Sequence, residues 1–226
     1  MKFLKDNASR LTWLACVAGA VLVPVAAAMA FLYAPEEAIM GAPQRIFYFH
    51  VPIAILCYVG FFITFVGSIG YLWTKKMVWD RWAVAGAEVG VLLAVLMTLT
   101  GMLWARPIWG AWWTWDPRLT TALVLLAIFA AYLVFRGQVA DEALRAKYAA
   151  VVGVVAYADV PLVHYSVQLW NRGIHPPKPE LHPDMAVALK FGFAAMFVLV
   201  AATLLLRVRY GFLEAEVARL KEGVRR

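Results

Sequence analysis

The chain has 226 residues, 64% of them apolar and only 15% charged, with a mean hydropathy of +0.73 and a formal net charge of +7. Soluble domains carry roughly a quarter charged residues and about half apolar ones, so these values exclude a soluble globular domain and leave an integral membrane protein. The two cysteines, Cys16 and Cys57, both fall inside apolar runs, where a thiol behaves as a small apolar side chain, and no disulfide framework follows.

In chain order, Lys2, Lys5 and Arg10 precede an apolar run from Leu11 to Pro35. Its Ala28-Met-Ala30 resembles a signal-peptide cleavage site, but the run exceeds the roughly 7 to 15 residues of a signal's apolar region. It is read as a retained first span that tolerates Pro24. Span 2 runs from Ile46 to Thr74. Span 3 runs from Val89 to Ala105 and extends back to Ala83 past Glu88, with Gly86-x-x-x-Gly90 permitting close helix packing. Span 4, Leu119 to Phe135, follows Asp116-Pro117, the signature of an N-cap with proline at N1. Span 5 is Tyr148 to Asn171, interrupted only by Asp159. Span 6, Phe191 to Leu206, extends back to Ala186 past Lys190, and Asp184 is read as its N-cap. Beyond it Leu213, Val217, Leu220 and Val224 recur at helical spacing among charges, giving an amphipathic tail over 210–226. That tail suits the headgroups, its own bundle or a docking partner.

A span needs about 20 apolar residues, so the fold class is all-α: a polytopic membrane protein of six transmembrane helices. Short connections make residues 1–226 one domain. Lys and Arg near span ends are retained in the cytoplasm. With the N-terminus inside, fifteen of the twenty-one Lys and Arg fall on cytoplasmic segments, so both termini are expected there. This bias and contact with anionic lipid account for the positive charge, which is therefore no argument for nucleic acid.

Three short segments then converge on the outer face. One is Arg45-Ile-Phe-Tyr-Phe-His50-Val-Pro52. The second, over 104–120, holds five of the ten tryptophans between Trp104 and Trp115. The third runs from Asn171 to His182 and carries His175. An interfacial belt accounts for two or three tryptophans, whereas Trp112 and Trp113 are adjacent and do not share one face. A platform for a flat apolar ligand fits the cluster better. Haem satisfies the whole inventory. Its iron takes axial imidazoles, indoles offer stacking area and one donor each, and the forks of Arg45, Arg106, Arg118 and Arg172 suit its propionates. Taken singly, His50 also reads as a hydrogen-bonded interface residue, Asp116 as a cap, and His164 as a packing residue or a partner of Asp159. Intramembrane Glu88 and Asp159 are expensive and usually paired. A proton relay or helix-to-helix bonding explains them equally well, so a transporter or channel subunit using both is the alternative function. No Cys-x-x-Cys-His run attaches haem covalently, and no phosphate-cradling glycine-lysine loop occurs, so ATP hydrolysis would come from a partner.

The segment Pro107-Ile-Trp-Gly-Ala-Trp-Trp-Thr-Trp-Asp-Pro-Arg-Leu-Thr120 closely resembles the WWD signature of haem-handling proteins in cytochrome c maturation. Length and six spans point within that group to the CcmC (haem exporter protein C) family. Phe47-Tyr-Phe-His50-Val-Pro52 and Pro161-Leu-Val-His-Tyr-Ser-Val-Gln-Leu-Trp-Asn171 are similar to that family's segments. The resemblance implies a protein of the inner membrane that is not an enzyme. It implies transient, non-covalent binding of haem b at the periplasmic face, and presentation of that haem to the chaperone CcmE. The implied partners include the ABC transporter membrane and ATPase subunits, CcmB and CcmA, and the small membrane subunit CcmD. It also implies a haem-binding set of Trp109, Trp112, Trp113, Trp115, Asp116 and the four arginines. The family's two histidine ligands map to His50 and, after a one-residue insertion near Arg172-Gly173, to His175 rather than His182. Ala105 and Ala111 stand where Gly and Thr are common, small-for-small changes that leave the platform intact.

Overall fold

The structure is a computed structural model that describes residues 2–170 and 181–224. It comprises α1 (Lys2–Ala28), α2 (Phe47–Thr74), α3 (Met77–Trp109), α4 (Pro117–Gln138), α5 (Glu142–Ala156), α6 (Asp159–Trp170) and α7 (Pro183–Val224). A π-helical turn, Met29–Tyr33, ends α1, and a 3-10 turn, Ala42–Ile46, leads into α2. No β-strand occurs among the described residues. Six segments are long and apolar enough to cross a membrane: Ser9–Tyr33, Ala42–Thr74, Met77–Trp109, Pro117–Gln138, Glu142–Trp170 and Pro183–Lys221. This is the six-helix architecture expected from the uncharged runs.

The fifth span is two helices rather than one. Pro161 has no N–H and disfavours helical geometry at Val160. The chain crosses the break through tight three-residue bonds, Ala158 N–H to Val155 O at 3.1 Å and Val160 N–H to Tyr157 O at 3.0 Å. Asp159, the one interruption in that run, begins α6.

The sixth span and the amphipathic tail, by contrast, are one helix of 42 residues. At 1.5 Å per residue it is about twice as long as the roughly 30 Å hydrocarbon core. The tail therefore extends the span along its axis, with Leu213, Val217 and Leu220 exposed. The expectation that Asp184 caps this helix is corrected. Pro183 takes the first helical position, and His182 is the residue before it, its carbonyl accepting from Ala186 N–H (3.0 Å) and its Nδ1 facing Asp184 N–H at 3.4 Å. Asp184 lies inside the first turn and accepts from the Tyr33 hydroxyl at 2.9 Å.

Packing centres on the α2–α3 hairpin. A Cβ at Gly60 would lie 2.9 Å from Gly90 Cα, and one at Gly86 would lie 2.6 Å from the Gly60 carbonyl oxygen. Only glycines allow the two backbones to come this close, as the Gly86-x-x-x-Gly90 spacing suggested. Phe61 stacks on Phe129 of α4 with centroids 3.8 Å apart. Two ion pairs tie the helices. Arg136 of α4 holds Asp80 of α3 through two bonds of 2.7 and 2.8 Å, both side chains buried. Arg207 of α7 pairs with Glu88 of α3. α1 and α7 run antiparallel: Arg209 meets Ser9 at one end and Tyr33 meets Asp184 at the other. One end of the bundle thus gathers the chain termini. The opposite end gathers the 42–46 turn, the tryptophan segment and the approach to α7.

Candidate functional site

His50 lies in the first turns of α2, at the end of the bundle opposite the termini. Pro52 cannot donate to the Tyr48 carbonyl, and Gly192 of α7 packs onto that oxygen, where a Cβ would come within 2.4 Å. This contact seats the start of α2 against α7. On its other side the His50 ring rests on α3. Its Nδ1 is 2.9 Å from Thr100 Oγ1, and its ring meets Trp104 edge-on with centroids 5.8 Å apart. Phe47, one turn before His50, meets the same indole at 6.0 Å.

The tryptophan segment leaves α3 just beyond this seat. The helix runs through Pro107 to Trp109, further than the Ala105 boundary read from the charge pattern. It stops at Gly110, whose φ of 73° suits a residue without Cβ and whose N–H closes onto Arg106 O at 3.1 Å. Residues 110–116 are non-helical until Asp116 caps α4, its Oδ1 accepting from Leu119 N–H at 3.0 Å. That confirms the cap read from Asp116-Pro117. On this loop Trp115 is 76% exposed and Trp112 51%, whereas Trp113 is half-buried and meets Trp115 edge-on at 5.9 Å. Adjacent Trp112 and Trp113 therefore differ in burial, as expected of residues that do not share a face. Buried side-chain atoms without a partner among the described residues concentrate here: Trp104 and Trp113 Nε1, Thr114 Oγ1, Asp116 Oδ2, Arg118 Nε and Thr120 Oγ1.

The expected arginines occupy three different settings. Arg45 turns its Nη1 onto the last carbonyls of the first span, those of Ala30, Phe31 and Ala34. Arg106 reaches forward to the Gly110 carbonyl. Arg118, at the start of α4, crosses to the His164 carbonyl of α6 at 3.3 Å. Arg172 and His175 lie outside the described residues. His182 is exposed and engaged at the start of α7, 3.6 Å from the Asp184 carboxylate.

The chain belongs to the heme exporter protein C family. A family model described as Heme exporter protein C matches residues 1–222. Curated relatives of that name are similar over most of their length. One from Escherichia coli K12 is 32% identical over 204 residues, covering 88% of this chain and 82% of the relative. One from Paracoccus denitrificans is 30% identical over 216 residues (92% and 89%), and one from Rhodobacter capsulatus is 30% identical over 231 residues (98% and 93%).

The two intramembrane acids differ from each other. Glu88 is held bidentately by Arg207, so it spends its charge on joining α3 to α7. Asp159 sits at the α5–α6 break with Oδ2 buried and without a partner among the described residues. His164 is exposed beside Tyr165, and no bond joins it to Asp159 among the described residues. Its expected packing or network role is corrected because α6 buries the face of Val160, Val163 and Ser166 instead. Thr100, which contacts His50 directly, was not singled out from the sequence, and Trp104 was read only as one of the clustered tryptophans, not as a neighbour of His50. Their spacing of four along α3 places them on one helix face and was the available signal.

Proposed function

We propose that this protein binds haem at the end of the bundle carrying His50 and hands it to a haem chaperone for cytochrome c maturation. The observation that carries this reading is the seating of His50 against Trp104, at the root of a tryptophan loop, in a chain whose relatives are named heme exporters. The positive-inside bias assigns that end to the periplasmic face of the inner membrane. His50 and His175 would hold the iron through their imidazoles. Trp109, Trp112, Trp113 and Trp115 supply apolar area along its edge. The buried donors around the loop, Trp104 and Trp113 Nε1 and Arg118 Nε, match what carboxylates accept, and buried donors ordinarily have partners. Arg118 therefore faces the propionates; Arg45 and Arg106, whose guanidiniums are held by backbone carbonyls, and Arg172 are the further forks that the family resemblance implies, while Asp116 shapes the loop as the α4 cap. The binding is non-covalent and transient.

Haem arrives and leaves chemically unchanged, so the protein acts as a scaffold rather than an enzyme. Release is driven by the partner ABC transporter, whose ATP cycle favours a state of weaker ligation. The test is the visible spectrum of protein purified from haem-sufficient membranes, oxidised and reduced, beside His50→Ala and His175→Ala. A Soret band that weakens or shifts in both variants is expected. A wild type that stays colourless after haem is added would sink the reading.

A further inference from the structure

The seat of His50 is built by one turn of α3. Thr100 contacts Nδ1, and Trp104 meets the ring edge-on. Gly101 lies beneath Cε1, where a Cβ would come within 3.2 Å. The back-bonding habit of threonines in these helices bears on where the proton of the Thr100–His50 contact lies. A threonine hydroxyl has a single hydrogen, and Thr100 Oγ1 lies 2.7 Å from the Leu96 carbonyl oxygen and 3.2 Å from that of Met97, both on its own helix. Thr98 and Thr203 make the same back-bond to the carbonyl four residues earlier. A hydroxyl that spends its hydrogen on the Leu96 carbonyl, in the manner of Thr98 and Thr203, leaves Thr100 Oγ1 to accept, and the 2.9 Å contact is then an Nδ1–H donated by His50. A neutral imidazole protonated at Nδ1 carries its lone pair on Nε2.

We propose that Thr100 is a positioning residue for His50, fixing the Nδ1–H tautomer and the ring orientation so that Nε2 is the nitrogen that ligates iron. Gly101 completes the seat by letting the ring lie close to the α3 backbone. Ligating histidines commonly donate their second nitrogen to an oxygen acceptor, and losing that acceptor costs about 10- to 100-fold in metal affinity. Here the acceptor stands on the same helix that ends in the tryptophan loop, so any shift of that helix end is felt by the ligand. The inference rests on the reading of His50 as an iron ligand, and its first measurement needs no haem.

Full-length protein in nanodiscs, labelled with 15N-histidine, reports the tautomer through the two ring-nitrogen shifts, with His50→Ala assigning the signal. Wild type and Thr100→Ser are expected to show Nδ1 protonated, and Thr100→Val to lose that preference. On haem titration, Thr100→Val should bind about 10- to 100-fold more weakly with an altered Soret band. Thr100→Ser should stay close to wild type, and thermal midpoints should be similar throughout. Gly101→Ala, which pushes on Cε1 while keeping the hydroxyl, should weaken binding with the tautomer retained. A wild-type His50 protonated at Nε2, or a folded Thr100→Val with unchanged tautomer and unchanged haem affinity, overturns the proposal alone. A haem spectrum indifferent to His50→Ala overturns it together with the ligand reading beneath it.

Discussion

The two ends of this bundle treat polar side chains in opposite ways. Toward the termini, charges are neutralised inside the molecule: Arg136 closes both oxygens of Asp80, and Arg207 closes Glu88. Toward the other end, indole N–H groups, a guanidinium nitrogen and a carboxylate oxygen are buried around the tryptophan loop without partners among the described residues, while two indoles stand exposed. Satisfied polar groups rigidify a structure, and buried unsatisfied ones are costly. The first end thus has the chemistry of a frame and the second that of a receiving surface. Function and stability should therefore separate along the bundle axis, and substitutions at the two ends should be distinguishable by which they disturb.

The largest stability effect is expected where the frame's charges are most buried. Asp80→Ala or Arg136→Ala leaves one buried charge unpaired, which typically costs about 3–5 kcal/mol, read as a fall in folded yield and thermal midpoint in detergent. Removing both charges together, as Asp80→Leu with Arg136→Met, should recover most of that loss. A double variant as unstable as the worse single one would break the frame half of the comparison. Next is Gly86→Val, whose side chain must enter the space against the Gly60 carbonyl. Overpacking of this kind costs about 1–3 kcal/mol. Glu88→Gln removes the counter-charge of Arg207 within the membrane, where an unpaired ionised side chain is costly, and should lower the thermal midpoint. It should leave haem binding unchanged. If it abolished function while His50→Ala did not, the transport reading of the intramembrane acids would take precedence.

How far these ends were legible in the sequence follows from the range of the interactions involved. The spans, the Asp116 cap and the unlike burial of Trp112 and Trp113 are set by nearest neighbours and helical spacing. They read directly. The ion pairs did not, because Arg136 and Arg207 look like ordinary retained cations until the fold brings them to acids 56 and 119 residues away. The long α7 was missed because the amphipathic tail was read apart from the span, although only Gly211 and Gly223 weaken helix between Leu206 and Val224. The cap at Asp184 failed for a local reason, since Pro183 already claims the first helical position. At the site, His50 and the tryptophan loop stood out by type, whereas Thr100 resembled any threonine in an apolar run. Its role is visible only once α2 and α3 are packed.

The receiving surface can be divided further, between residues that shape it and residues that touch the cargo. Asp116→Ala removes the α4 cap and should cost about 1 kcal/mol. Asp116→Asn keeps an oxygen for Leu119 N–H and should restore that stability. If the aspartate acts only by shaping the loop, Asn should restore haem affinity as well, and an Asn variant that is stable yet binds poorly would show that its charge matters. Trp115→Ala lies at the far end of the scale. A side chain 76% exposed contributes little to folding, so the thermal midpoint should stay at the wild-type value. A stacked aromatic contact is worth about 0.5–1.5 kcal/mol beyond buried area, so haem affinity should fall by up to about tenfold. The reverse pattern, a destabilised protein with intact haem affinity, would mean that Trp115 belongs to the frame and that the platform is confined to the half-buried indoles beside His50.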